Sequence, residues 1–508
     1  VIALAGSVAL VLLVARLATG GRRASTSRAD LIAFLVVSAA LGTVARLWDL
    51  DRSLWRDEFG TLWAIEGGLA GSIRRVTDFH GQTPFYYLFV WPLIHTFGES
   101  EVALRLPSLL FGAAAAVVVG ASASLLAGRT AGLVAAGLAW LSSALTGASV
   151  NARPYALGML CAGCALYGFV GAVQRGDRRY RLIFVLGGAA LVFTHYLFAL
   201  VLVGVPAGYL LFPSLRANYP PRAFIADIAW QGALSSVALP QFLTLWGRKA
   251  SLVWTRQPDY LAVLRTLAPL AVPALLSGQR PAAPRERALA FTLWLSVGGV
   301  VGILAVASLA GTNLVVPRYV DVIVVPAAIL AGVGAARAVP AARFLGLAYM
   351  VGLTVLASLA VFRTTGRLTA IPHEEWRGAV DALTQAAATR PGPVLLQSGF
   401  VEQVDAQADP DSATRSPLRS PGRPAPALEV HLLPYAWNSA AAAAGREDVA
   451  RLFDDPSRPV YVLSGGGYTT LFVQWVNARF AGRVSCRPLG AFVRVELVAC
   501  RQGSSGAK

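Results

Sequence analysis

Residues 104–126 read LRLPSLLFGAAAAVVVGASASLL. After Arg105 the run carries no charge. About 20 apolar residues, at about 1.5 Å each, cross the hydrocarbon of a bilayer. The segment predicts a membrane-spanning helix that starts at an arginine. Outward from it, comparable runs recur near 1–18, 31–48, 131–149, 152–173, 223–246, 287–309, 316–336 and 341–362. Residues 182–213 exceed one upright span and are interrupted by Thr194-His195-Tyr196, so they read as two short helices with a break at His195. A weaker span over 259–277 contains Pro269 and Pro273, which membrane helices tolerate where neighbours satisfy the freed backbone groups. The whole composition agrees: 56% of the 508 residues are hydrophobic, 14% are charged, and mean hydropathy is +0.58. Soluble domains carry about 25% charged residues.

The net charge of +17 and pI of about 10.4 come from arginines in short loops. No basic helix or RNA-binding motif accompanies them, so nucleic acid is not the partner. Instead they orient the chain, because short cytoplasmic loops hold the excess of Lys and Arg. Loops around Arg22, Arg175, Arg181, Arg216, Arg285 and Arg337 go inside on this rule. Alternation then puts Asp57, Arg153, His195, Arg318 and the tail outside. It requires PFYYLFVWPLIHTF (84–97), short and interrupted by Pro92, to lie along the interface rather than cross it. The first run lacks a small-residue cleavage site and reads as a retained span. The expected fold is a polytopic α-helical membrane protein of about 12–13 spans over 1–362, in the plasma membrane. It would carry an outer loop at 49–103.

From residue 363 the composition becomes that of a small extracytoplasmic α/β domain, 363–508. HEEWRGAVDALTQAAA reads as a helix and PVLLQS as a short buried strand. After them come a helix near 446–453, the strand VYVLS, and a helix near 468–480. The Pro/Ser/Asp-rich stretch 405–426 predicts a disordered loop. SGGGY after VYVLS is neither a dinucleotide fingerprint nor a P-loop, and reads as a tight structural turn. Cys486 and Cys500 can pair if the tail is extracytoplasmic. Cys161 and Cys164 form a CxxC inside an apolar run and read as small packing residues.

The polar residues of the outer face carry the chemistry. SLWRDEFGTLW (53–63) sets Asp57 and Glu58 among aromatic rings suited to the headgroup layer. With them come Asp78, His80 and Gln82, Arg105, Asn151, Arg153 and Tyr155 of NARPY, His195 and Tyr196, and Arg318 and Tyr319 of VPRYV. Singly, each arginine reads equally as a snorkelling helix end. As a set, arginines suit a phosphate's oxygens, and a carboxylate suits removal of a proton from an attacking hydroxyl. Adjacent residues diverge along a helix or a strand, so Asp57 and Glu58 cannot address one atom. One faces the acceptor, while the other orients a neighbour or binds the acceptor chain. A divalent metal through Glu58 and His80 is chemically open, since carboxylate and imidazole are suitable ligands.

In order along 31–320, SLWRDEFGTLWAIEGG, DFHGQTPFYYLFVW, FGESEVALRLPSLLFG, NARPYAL and FTHYLFAL resemble the protein mannosyltransferase-like (family 39) glycosyltransferases of the GT-C class. The resemblance implies an integral-membrane enzyme with an extracytoplasmic site. It would move a sugar, mannose by the family's usual habit, from a polyprenyl-phosphate donor to a hydroxyl of a protein, glycan or lipid, with inversion. Asp57 would be the base and Glu58 the second acidic position. Arg105 would be a phosphate or structural contact, and Arg318 a contact to the lipid phosphate. HGQTP replaces the family's HPP, and the span before residue 30 departs from its usual start. A lipid-linked sugar flippase is the rival class, kept in view by the break at His195. A non-catalytic lipid-sugar binder is the third possibility.

Overall fold

The structure, a computed structural model, describes residues 28–78, 83–247, 283–338, 374–397, 427–433, 443–466 and 468–503. It also describes parts of 258–270, residues 352, 359 and 363, and residues 416–418 and 421. The expected spans at 1–18 and 341–362, most of 259–277 and most of the 405–426 loop lie outside the described residues.

The chain divides into two compact units, one of Val1–Leu50, Val76–Phe89 and Arg105–Ala370, the other of Asp51–Arg75, Val90–Leu104 and Ile371–Lys508. The first is helical. It holds α1 (Arg28–Asp49) and nearly all of the long α4 (Glu101–Leu141), while the short α2 (Arg56–Ile65) and most of α3 (Tyr87–Phe97), between them in sequence, belong to the second unit. Helix α3 has 11 residues, a rise of about 16 Å, which is too short to cross a bilayer. Helix α4 has 41 residues and breaks at Ala127–Gly128, where Gly128 takes φ 82° and ψ −179°, a conformation essentially confined to glycine. The break folds its two arms together: a Cβ on Gly120 would stand 2.8 Å from the Gly132 carbonyl oxygen. This is the division between the runs 104–126 and 131–149.

Helices α5 (Tyr155–Arg175) and α6 (Arg178–Val192) form a close hairpin. After α6 the chain turns through His195 into a 3₁₀ segment, Tyr196–Val203, and the helix Gly204–Leu211, so the interruption at His195 is real. Arg181, predicted only as a loop charge, forks onto Asp227 at 2.7 and 3.0 Å, with the Tyr219 hydroxyl donating to the same carboxylate at 2.6 Å. Helix α7 (Pro284–Leu309) and the run Pro317–Arg337 follow. Among the described residues, α4, α5, α7 and Pro317–Arg337 are long and apolar enough to cross a membrane. The protein is a multi-pass α-helical membrane protein with a small C-terminal sheet domain.

In the second unit, α8 (Trp376–Thr389) precedes β1 (Val394–Gln397), β2 (Val430–Leu432), β3 (Val460–Gly465), α9 (Tyr468–Phe480), β4 (Val484–Pro488) and β5 (Val495–Gln502). The sheet order is β2-β1-β3-β5-β4; β1 runs parallel to β2 and β3, and β5 antiparallel to β3 and β4. Every residue of β1 and β3 is buried, as unbroken apolar runs such as VLL and VYVL require of central strands. Leu395, Val462, Phe472 and Val476 share one core with Cys500. Cys500 is disulfide-bonded to Cys486 across β4 and β5. Ser416–Leu418, within the stretch expected to be disordered, form a 3₁₀ turn with Leu418 buried.

Candidate active site

The acidic motif belongs to the second unit. Trp55 is extended (φ −103°, ψ 169°) and ends the preceding stretch, so α2 begins with Arg56, Asp57 and Glu58 in its first turn. A helix start leaves backbone N–H groups exposed and is positive, and it favours carboxylates there. The two acids then part, as their adjacency demands. Glu58 is wholly buried and turns back to accept the Trp55 N–H at 3.2 Å, one half of a capping box. Asp57 keeps a partly exposed side chain.

The flanks of the motif are held by residues that read in the sequence as part of a distant helix. Helix α8 starts at Trp376 rather than at His373, and leaves Glu374 free to reach the motif. The Glu374 carboxylate accepts the Arg56 N–H at 2.9 Å and the Trp376 indole N–H at 2.7 Å. Phe59 meets the Trp376 ring edge-on, centroids 6.2 Å apart. The Arg377 N–H donates to Ser53 Oγ at 3.2 Å and its guanidinium to the Asp51 carbonyl at 2.8 Å, with an ion pair to Glu101. A signal for Glu374 lay in the sequence only as an acidic pair ahead of an apolar helix, a pattern too common to point anywhere.

The first unit gathers a second set. Arg153 is buried in the turn before α5, and its N–H donates to the Asn151 carbonyl at 2.7 Å. The Arg153 carbonyl also accepts from Ser108 Oγ at 3.4 Å, and Ser108 Oγ lies 2.9 Å from the Tyr86 hydroxyl. His195 lies in the turn after α6, outside the spanning helices, with its ring 5.6 Å from Tyr155, 4.5 Å from Phe198 and 5.5 Å from Tyr319. Its Nδ1 is closed off from solvent and has no hydrogen-bond partner among the described residues, while the residue as a whole is half-buried. Burial, then the charges of Arg153 and Arg318, push this imidazole down from 6.5 to about 3. Two guanidinium groups, Arg153 and Arg318, thus act on one imidazole, and the Arg318 guanidinium carbon lies 5.5 Å from the Tyr319 ring centre; paired guanidinium groups are suited to an anion.

Other predicted residues have different surroundings. Arg105 is fully buried and donates to the Leu50 carbonyl at 2.9 Å, a bond that ties α4 to the end of α1. The Tyr196 hydroxyl donates to Gln241 Oε1 at 2.9 Å, and its ring meets Phe242. His80, Gln82 and the side chain of Asp78 lie outside the described residues, and so does the His80 half of the metal pair left open at Glu58 and His80. Among the described residues no group of three or more His, Cys, Asp or Glu is placed to hold a metal ion.

Residues 81–239 match the family model described as dolichyl-phosphate-mannose-protein mannosyltransferase. Comparison with curated protein sequences gives no match. Among solved structures, ArnT from Cupriavidus metallidurans in the apo state aligns at 15% identity and a TM-score of 0.55, covering 92% of this chain and 98% of that one. The same enzyme bound to undecaprenyl phosphate aligns at 13% identity and TM-score 0.52, covering 94% and 99%. The oligosaccharyltransferase AglB from Archaeoglobus fulgidus, in complex with an inhibitory peptide and a dolichol-phosphate, aligns at 12% identity and TM-score 0.49, covering 86% and 70%. The chain therefore shares the fold of ArnT over most of its length, and its residues 81–239 resemble the mannosyltransferase family model.

Proposed function

We propose, on the premise of a GT-C fold whose residues 81–239 fit the mannosyltransferase family model, that this protein is an inverting glycosyltransferase. It moves a sugar from a polyprenyl-phosphate donor to an acceptor hydroxyl on the extracytoplasmic face. The single observation that carries this is the cluster of Arg153, Arg318 and a neutral His195 walled by Tyr155 and Tyr319. Guanidinium forks match phosphate oxygens, and fixed charge stabilises a departing phosphate without any acid to protonate it. Asp57 is the base: it takes the acceptor proton as the new bond to the anomeric carbon forms and the bond to phosphate breaks. Glu58, engaged by the Trp55 N–H, holds the helix start rather than sharing that proton.

The Cys486–Cys500 disulfide supports an extracytoplasmic tail, since such bonds persist in oxidising compartments. Mannose is the first sugar to test, and a protein, glycan or lipid the acceptor. A divalent ion at Glu58 would compete with the Trp55 N–H, and transfer measured after chelation, with and without added Mg²⁺, tests for one.

The deciding experiment uses purified protein in lipid with radiolabelled polyprenyl-phosphate mannose and a cell-envelope extract, wild type beside Asp57→Asn, repeated with an arabinosyl donor. Asp57→Asn keeps the shape and removes the base, so label enters an acceptor only with wild type. Label that crosses the bilayer unchanged, with no transfer from either donor, would establish the flippase instead.

A further inference from the structure

We infer that Glu374 is a positioning residue for Asp57: the C-terminal domain caps, from far along the chain, the helix that carries the base. The inference rests on the function proposed above. Helix α2 needs acceptors for its first N–H groups, and Trp55 at its N-cap position has no side-chain oxygen to offer. Two carboxylates serve instead. Glu58 takes the Trp55 N–H at 3.2 Å, and Glu374 takes the Arg56 N–H at 2.9 Å. Glu374 is 7% exposed, and such a buried carboxylate is stable only when hydrogen-bonded and paired. It meets both conditions, through the Trp376 indole at 2.7 Å and the Arg56 guanidinium at 3.7 Å.

The Gly-rich turn completes this socket. A Cβ on Gly465 would lie 3.0 Å from Arg56 Nη2 and 3.2 Å from the Trp376 ring, and Gly466 has φ +71°. The turn that reads in the sequence as structural is thus a seat for Arg56. The helix after it is also engaged, since the Thr469 N–H donates to Glu496 Oε2 at 3.2 Å. Arg56 is held at both main chain and side chain, one residue before Asp57. A misplacement of about 1 Å in a reacting group costs on the order of a hundredfold in rate, so the socket sets how well Asp57 meets an acceptor.

The test compares wild type, Glu374→Ala, Glu374→Gln and Gly465→Val in lipid, with the donor that supports wild-type transfer and rates normalised to folded protein. Amide hydrogen exchange is followed over residues 54–60. Glu374→Ala should lower kcat about 10- to 100-fold with donor KM within about twofold, and speed exchange at 55–58. Glu374→Gln should fall between. Gly465→Val, pressing on Arg56 from the other side, should reproduce the pattern. Unchanged kcat and exchange in Glu374→Ala, or a donor KM that rises in step with lost melting temperature, would overturn the inference. If Glu374→Ala does not fold, Glu374→Gln and Gly465→Val decide it by the same criteria. Wild type without transfer overturns the proposed function, while the exchange at 55–58 still decides whether Glu374 holds the turn.

Discussion

Asp57 and Glu58 stand at successive positions of one helix, and a helix turns about 100° per residue. One carboxylate is therefore buried as a cap while its neighbour keeps contact with solvent. Asp57→Asn should abolish transfer with folding intact. Arg318→Ala should instead raise the donor KM by about tenfold or more, the scale of a lost charged hydrogen bond, as measured by donor titration. His195 gives a pH prediction with a definite sign. Its imidazole titrates near 3 in the fold and near 6.5 unfolded, so between those values the unfolded chain binds more protons. Stability from this site is complete above about pH 6.5 and falls as pH drops towards 3. The melting temperature of wild type should decline more steeply from pH 7 to 4.5 than that of His195→Gln; equal slopes would reject the shift. The presence of these residues was legible in the sequence. Their partners were not, because Glu374 stands 318 positions along the chain from Arg56, and no local pattern reports a contact at that separation.

Among the elements, the α5–α6 hairpin depends on glycine. A Cβ on Gly168 would lie 2.6 Å from the Tyr180 carbonyl oxygen and 2.7 Å from the Phe184 Cα, so the two backbones touch there. In lipid, small residues at helix contacts allow this approach, and dispersion between the backbones replaces hydrophobic driving force. Gly168→Val should destabilise the protein by about 1–3 kcal/mol, the usual penalty of overpacking, seen as a lower melting temperature in detergent. The breaks between the runs 104–126 and 131–149 and at His195 also belong to this scale, and both were readable, since Arg129 in the first gap and the triplet Thr194-His195-Tyr196 in the second interrupt hydropathy itself. The start of α8 was misplaced by three residues, because the acidic pair ahead of Trp376 fits a first helical turn equally well until Glu374 finds Arg56.

At the scale of the molecule, the disulfide closes β4 onto β5 beside the core residue Val498. Its cysteines are 14 positions apart, and loop-closure entropy for that length gives about 3 kcal/mol. Cys500→Ser should lower the melting temperature of the C-terminal domain by the corresponding amount. In intact cells a membrane-impermeant maleimide should label Cys486 only in that variant, if the tail is extracytoplasmic. Hydropathy by itself determined that the chain is a polytopic helical membrane protein with a soluble α/β tail, because burial in lipid constrains every residue of a span locally. The order of motifs likewise determined the GT-C resemblance. Only the tertiary structure decided that Asp51–Arg75 and Val90–Leu104 pack in one compact unit with the C-terminal residues. It also decided that Arg105 bonds a backbone carbonyl and that Arg153 and Arg318 flank one histidine. A hydrogen bond or a charge pair is fixed by a few tenths of an ångström between residues far apart in the chain, and no local pattern encodes that distance.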